Sequence, residues 1–309
     1  MSKHIIVLGM HRGGTSLVAN LLHRWGAYAG QAHQLLAADQ NNLQGYWEYL
    51  PLIQFNQQLL NSVGASWFIP PGVDEEKAIE NLAADPVYKR RAEQLLAEMR
   101  KGGQDWLWKD PRLAVLLSFW KKMWGEAIYV VTVRHPLEIA MSLRKRDRLP
   151  ISASLLIWQH YMLEALRQTE GSKDRIFISY ENLINTPVEQ CQRLASFIDR
   201  ACEYERDRES LVGNMVGAIN TQLRHNISSI PFSDVPQATR EQKALYLYLN
   251  EMAQDRAEPF EQLSVELYPG WKEYLQTFDA LSKLWQQFQG REQLLLSLIT
   301  KAHREVFGL

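Results

Sequence analysis

An apolar run, Ile5-Ile6-Val7-Leu8, ends in Gly9-Met10-His11-Arg12-Gly13-Gly14-Thr15-Ser16, and a periodic segment with Leu17, Val18, Leu21 and Leu22 follows. Strand, glycine-rich loop and helix in that order build a cradle for an oxyanion. The loop offers backbone N–H groups, and the helix places the positive end of its dipole behind them. The spacing fits the phosphate-loop pattern G-x-x-x-x-G-K-[ST] with one exception. Thr15 stands where the lysine belongs, and the cation is Arg12, earlier in the loop. That lysine reaches the β- and γ-phosphates of a nucleoside triphosphate, so its loss argues against ATP or GTP chemistry.

A chain of 309 residues with 46% apolar content can bury one large core, with room for an accessory region. Its net charge of −1 provides no global field for nucleic acid or an acidic membrane, so any anion site is a local gathering of cations. No apolar stretch approaches the roughly 20 residues that span a bilayer. The run at 5–8 is too short for the apolar core of a secretory signal. Two cysteines, Cys191 and Cys202, suit a reduced compartment without a disulfide framework. The expectation is a cytoplasmic protein without nucleic-acid partners.

Three further short apolar runs, at 105–108, 128–133 and 175–178, read as buried parallel strands. Helical patterns separate them at 50–60, 88–99, 113–124, 136–145, 154–168 and 188–198, as alternating α/β architecture requires. The expected fold is three-layered: a central, mostly parallel sheet of about four or five strands, flanked by helices. The segment 200–236 reads as irregular. Beyond it, 240–254 and 271–307 are helix-rich without strand patterns. The expected division is therefore a core over 1–230 and a helical extension over 231–309 packed on it. An apolar stripe at Leu281, Leu284, Trp285, Phe288, Leu294, Leu295, Leu298 and Ile299 offers core packing, a lid or a seam for a homo-oligomer.

Two strands run into basic segments. Trp106-Leu107-Trp108 is followed by Lys109-Asp110-Pro111-Arg112, and 129–133 by Arg134-His135-Pro136. In an open α/β sheet the carboxyl edge of the strands is where ligands bind. With Arg12, at least three cations meet there, which points to a ligand with two separated anionic groups. Arg134 and Ser142 stand eight positions apart with Pro136 opening a helix between them. That spacing lets an arginine and a hydroxyl grip one phosphate from two sides.

In this order the segments resemble the sulfotransferases that use 3′-phosphoadenosine 5′-phosphosulfate (PAPS). The loop at 9–16 is similar to that family's 5′-phosphosulfate loop, and Val133-Arg134-His135-Pro136 through Ser142 to its 3′-phosphate element. Lys109-Asp110-Pro111 resembles the Lys-Asp-Pro of the tyrosylprotein branch. Ile178-Ser179-Tyr180-Glu181-Asn182-Leu183, followed by Pro187, resembles its Tyr-Glu-x-Leu segment. The likeness covers about residues 4–226. It implies that Arg12 bridges the 5′-phosphate and the sulfuryl group, with Lys109 beside it. Gly13, Gly14, Thr15 and Ser16 would then supply donors, Arg134 and Ser142 hold the 3′-phosphate, and Tyr180 face the adenine. Arg224 is assigned by position alone as a residue closing over the cofactor. Sulfuryl transfer leaves charge on a phosphate oxygen that fixed cations and backbone donors can stabilise, so no metal is implied.

The accepting hydroxyl needs a general base. Gly45-Tyr46-Trp47-Glu48 resembles the Gly-aromatic-aromatic-Glu element of bacterial members and points to Glu48; its alternative is an exposed carboxylate capping the helix near Pro51. Asp110 is the second candidate, while His11 and His33 lack a supporting motif. The cluster 144–148 reads as a solvated helix end, and Trp106, Trp108, Trp120 and Trp124 as core. Trp47 and Trp67 are open to an acceptor. That acceptor is a small-molecule, glycan or carrier-bound hydroxyl, with specificity expected from 32–45, 66–75 and 220–237. Two other readings are a phosphate-loop kinase with Asp110 as Mg²⁺ ligand and a non-catalytic nucleotide-binding scaffold.

Overall fold

A computed structural model describes residues 3–40, 42–101, 105–224 and 226–256. Its strands are β1 (His4–Leu8), β2 (Trp106–Lys109), β3 (Ile128–Val133) and β4 (Arg175–Ser179), in the spatial order β2-β1-β3-β4. All neighbouring pairs are parallel, with Ile5 opposite both Leu107 and Ile128, and Val131 opposite Phe177. Among the described residues the sheet thus has four strands and no antiparallel member. The helices are α1 (Thr15–Trp25), α2 (Leu50–Ser62), α3 (Val73–Asn81), α4 (Pro86–Arg100), α5 (Leu113–Trp124) and α6 (Pro136–Asp147). They continue as α7 (Ile151–Gln168), α8 (Tyr180–Asn185), α9 (Pro187–Cys202), α10 (Arg208–Val216) and α11 (Arg240–Met252).

Strand side chains alternate between the two faces of the sheet, and each face is buried by its own set of helices. Ile6, Leu8, Trp106, Trp108, Tyr129, Val131 and Phe177 enter one apolar cluster with residues of α2, α4, α5, α7 and α11. Ile5, Val7, Leu107, Val130, Ile176 and Ile178 enter the other, with α1, α9 and α10. The result is a three-layer α/β/α fold. The four tryptophans read as core are core: Trp106 stacks on Trp108 at 5.2 Å and Trp120 on Trp124 at 5.3 Å, all buried.

Three helices escape the sequence reading. The 66–75 segment runs into α3, whose first turn carries Asp74, Glu75 and Glu76 against the positive end of its dipole. Ser179 caps the short α8 through Asn182 N. In the stretch read as irregular, Asp207 caps α10 by accepting from Glu209 N, and the Asp199 carboxylate accepts from Arg208 Nε at 2.7 Å. Val212 and Met215 then bury that helix against α1 and α9. Phe232, Val235, Leu245, Tyr248 and Leu249 belong to the same apolar cluster as the strands. The stripe at 281–299 and the oligomer seam expected of it lie outside the described residues. No described helix is long and apolar enough to cross a membrane.

Candidate active site

Because the four strands are parallel, their carboxyl ends share one edge. β1 opens into the 9–16 loop, β2 ends on Lys109, β3 delivers Arg134 and β4 delivers Tyr180. β1 lies between β2 and β3, so the loop sits where the strand order reverses, the usual ligand crevice of such sheets. A cleft open to solvent lies there, lined by residues of the 9–16 loop together with Glu48, Lys109, Arg134 and Tyr180.

Two glycines make the loop sterically feasible. Gly9 has φ +141°, and a Cβ there would meet Thr132 Oγ1 at 2.2 Å; Gly14 has φ +90°, and a Cβ would meet the Tyr180 ring at 2.6 Å. Between them Arg12 adopts φ 66°, an unusual left-handed conformation for a residue with a side chain. That turn sends its guanidinium across the cleft, where Nε donates to Ser142 Oγ at 2.8 Å. Burial, and then the nearby Arg146 charge, lower the Arg12 pKa. A partly buried cation beside another cation is poised to gain from an anion.

Facing Arg12, the Lys109 ammonium donates to Ser16 Oγ at 3.2 Å and forms a close buried ion pair with Glu48. Trp47, at φ 59°, turns the chain so that Glu48 points inward. Glu48 is 6% exposed, which corrects the alternative of a solvated capping carboxylate. Burial raises the Glu48 pKa, against the opposing pull of Lys109. Asp110, next to Lys109, does not join them. It is wholly buried and accepts from Asn56 Nδ2 at 2.9 Å, Arg112 N at 3.0 Å and Arg112 Nη1 at 2.9 Å.

At the other end of the cleft Arg134 lies over the Tyr180 ring, 4.4 Å from its centroid. Its Nε and Nη2 donate to Glu138 Oε2 at 3.2 and 3.0 Å, its Nη1 to Arg12 O at 3.0 Å, and its Nη2 to Asn226 O at 3.3 Å. A guanidinium has five N–H donors, so one, on Nη1, is left among the described residues. Arg224 arrives from the other side and donates from Nη2 to Glu138 Oε1 at 2.7 Å. Ser142 Oγ accepts from Arg12 because two turns along α6 bring it back to the loop, whose Arg12 O also accepts from Arg134.

Sequence reasoning missed two neighbours, Glu138 and Arg146, and left His11 as a candidate without a motif. Glu138 carried no motif of its own. Arg146, read as part of a solvated helix end, lines the cleft and lies 5.4 Å from the centre of the Trp67 ring. His11 also lines the cleft, packed on Trp67 at 4.7 Å and Tyr161 at 5.9 Å, with Nε2 buried and lacking a hydrogen-bond partner among the described residues. Burial lowers the His11 pKa well below its ordinary value, and the charges of Arg112, Arg146, Lys109 and Arg12 lower it further. The signal for Arg146 was its position one turn beyond Ser142 on the same helix. His33 is exposed on a short turn, and Trp47 packs on His23 at 4.5 Å. Of the expected specificity segments, 32–45 contributes Gln40, Asn42, Leu43, Gln44 and Gly45 to the cleft wall, and 220–237 contributes Asn220.

Residues 4–204 match the model of a family described as the sulfotransferase family. Among solved structures, a sulfotransferase domain from the curacin biosynthetic pathway is 15% identical, covering 84% of this chain and 99% of its own, with a TM-score of 0.46. A sulfotransferase domain from the Synechococcus PCC 7002 olefin synthase is 16% identical, covering 90% of this chain and 95% of its own, also with a TM-score of 0.46. No curated protein sequence matches the chain.

Proposed function

This chain belongs to the sulfotransferase family, and we propose that it transfers a sulfuryl group from PAPS to a hydroxyl on a small molecule, glycan or carrier-bound substrate. The observation that carries the reading is the meeting of Arg12, Lys109 and Arg134 at one sheet edge. Arg134 Nη1 is hydrogen-bonded to Arg12 O, so the two guanidiniums belong to one cleft. A donor with anionic groups at its 5′ and 3′ ends fits cations so divided.

In this reading Arg12, Lys109, Ser16 and the loop N–H groups hold the 5′-phosphosulfate. The acceptor oxygen forms a bond to sulfur as the bond from sulfur to the bridging phosphate oxygen breaks. Arg12 and Lys109 take up the charge that accumulates on that oxygen, and 3′-phosphoadenosine 5′-phosphate (PAP) departs. Glu48 receives the hydroxyl proton. Its raised pKa brings it nearer the operating pH, which improves a general base. Lys109, bonded to both Ser16 and Glu48, ties the donor loop to the base. Arg134 and Ser142 hold the 3′-phosphate, with Arg224 closing beside it and Tyr180 at the adenine, and the chain's own cations perform the charge stabilisation without a metal.

The kinase alternative needs Asp110 free to bind Mg²⁺, and its carboxylate is already occupied by Asn56 and Arg112. The test is a screen of alcohols, phenols and sugars with PAPS labelled in its sulfate. Transfer of label to a hydroxyl is the expected result. Release of label only as inorganic sulfate across a broad panel contradicts the reading.

A further inference from the structure

Glu138 is a carboxylate in an unexpected place. It sits in the first turn of α6, 1% exposed, beside the cations assigned to the 3′-phosphate. An anion next to an anion site repels the ligand, and burying a carboxylate is costly unless its oxygens are satisfied. Here they are. Oε2 accepts two bonds from Arg134, and Oε1 accepts from Arg224 Nη2 at 2.7 Å and from Ser228 N at 3.2 Å. The favourable end of the α6 dipole adds to this. These contacts keep Glu138 ionised: its pKa lies below the ordinary value, because the Arg224 bond and the Arg134 charge outweigh burial.

The pattern of used and unused donors says what the carboxylate does. Among the described residues, Arg134 retains one N–H on Nη1, and the buried Arg224 Nε has no hydrogen-bond partner. Both arginines converge on Glu138, so these two donors belong to one neighbourhood, beside Tyr180. The same carboxylate, through Ser228 N, and Arg134, through Asn226 O, fasten the 226–228 segment against α6.

We propose that Glu138 is a positioning residue that aims Arg134 and Arg224 at the 3′-phosphate of the donor and latches the 226–228 segment beside it. The proposal rests on the PAPS reading above. It makes a prediction opposite in sign to simple charge repulsion. If Glu138 acted only through its charge, removing it would tighten phosphate binding; if it acts by ordering two guanidiniums, removing it weakens that binding.

The experiment compares calorimetric affinities for PAP and for adenosine 5′-phosphate, which lacks the 3′-phosphate. The wild-type chain is expected to prefer PAP strongly. Glu138→Gln, nearly isosteric, is expected to lower that preference about tenfold while leaving adenosine 5′-phosphate affinity nearly unchanged. Glu138→Asp keeps the charge but shortens the reach, and the preference is expected to fall there too; it decides the matter if the Gln variant does not fold. Tighter PAP binding in Glu138→Gln overturns the proposal, as does equal weakening of both nucleotides or full preference in Glu138→Asp. A wild-type chain that binds both nucleotides equally fails earlier, at the PAPS reading itself.

Discussion

The two ends of the cleft are built on different terms. At the Arg134 end two guanidiniums share one carboxylate, Glu138, which also accepts a backbone N–H. At the Arg12 end cations and carboxylates are interleaved: Lys109 pairs with Glu48, Arg112 with Asp110 and Arg146 with Asp147, and burial lowers the pKa of His11 and raises that of Glu48. Two guanidiniums held by one carboxylate suit recognition of a group that does not react. A buried carboxylate of raised pKa set against a lysine suits the place where bonds change. The contrast divides the labour between binding and turnover.

Substitutions that separate the two ends sharpen this comparison. The largest effect is expected from Glu48→Gln, which should reduce turnover by about 10²–10⁴-fold, the usual span for a general base, with PAP affinity changed little. The pH profile gives an independent check. The ionised carboxylate is the active form, so wild-type turnover should fall as pH drops through a Glu48 pKa lying above the ordinary glutamate value. Glu48→Gln should lack that limb. A variant that retains turnover and the acid limb removes Glu48 from the mechanism. A smaller effect is expected at the other end. Arg134→Lys keeps the charge but loses the planar fork, and should raise the PAP dissociation constant about tenfold with turnover at saturating donor little altered. A loss confined to turnover would dissolve the proposed division.

Much of this frame was legible in the sequence, for identifiable reasons. Short apolar runs specify buried parallel strands, so β1 to β4 fell within a residue or two of their readings. The glycine loop announced itself because only glycine tolerates the positions of Gly9 and Gly14. Helices were missed where their ends are set by capping instead of apolar periodicity: α8 by Ser179, α10 by Asp207, and α3 by its acidic first turn. The site residues that escaped act through tertiary contacts. Nothing local marks Glu138 as the partner of Arg134 and of Arg224, 86 positions away. Spacing grouped Ser142 with Arg134, but its contact with Arg12 depends on the turn of the helix and could not be read from spacing. Arg146 resembled an ordinary basic helix terminus until the fold placed Trp67 beside it.

The central claim is that cations at one rim of the sheet grasp an adenosine donor at two anionic ends. Its most direct test is a calorimetric titration of the wild-type chain with PAP and with ADP in the absence of Mg²⁺. Tight binding of PAP and far weaker binding of ADP is the expected result. Equal affinity for the two nucleotides would contradict the account, because it would leave the Arg134 end of the cleft without a ligand to recognise.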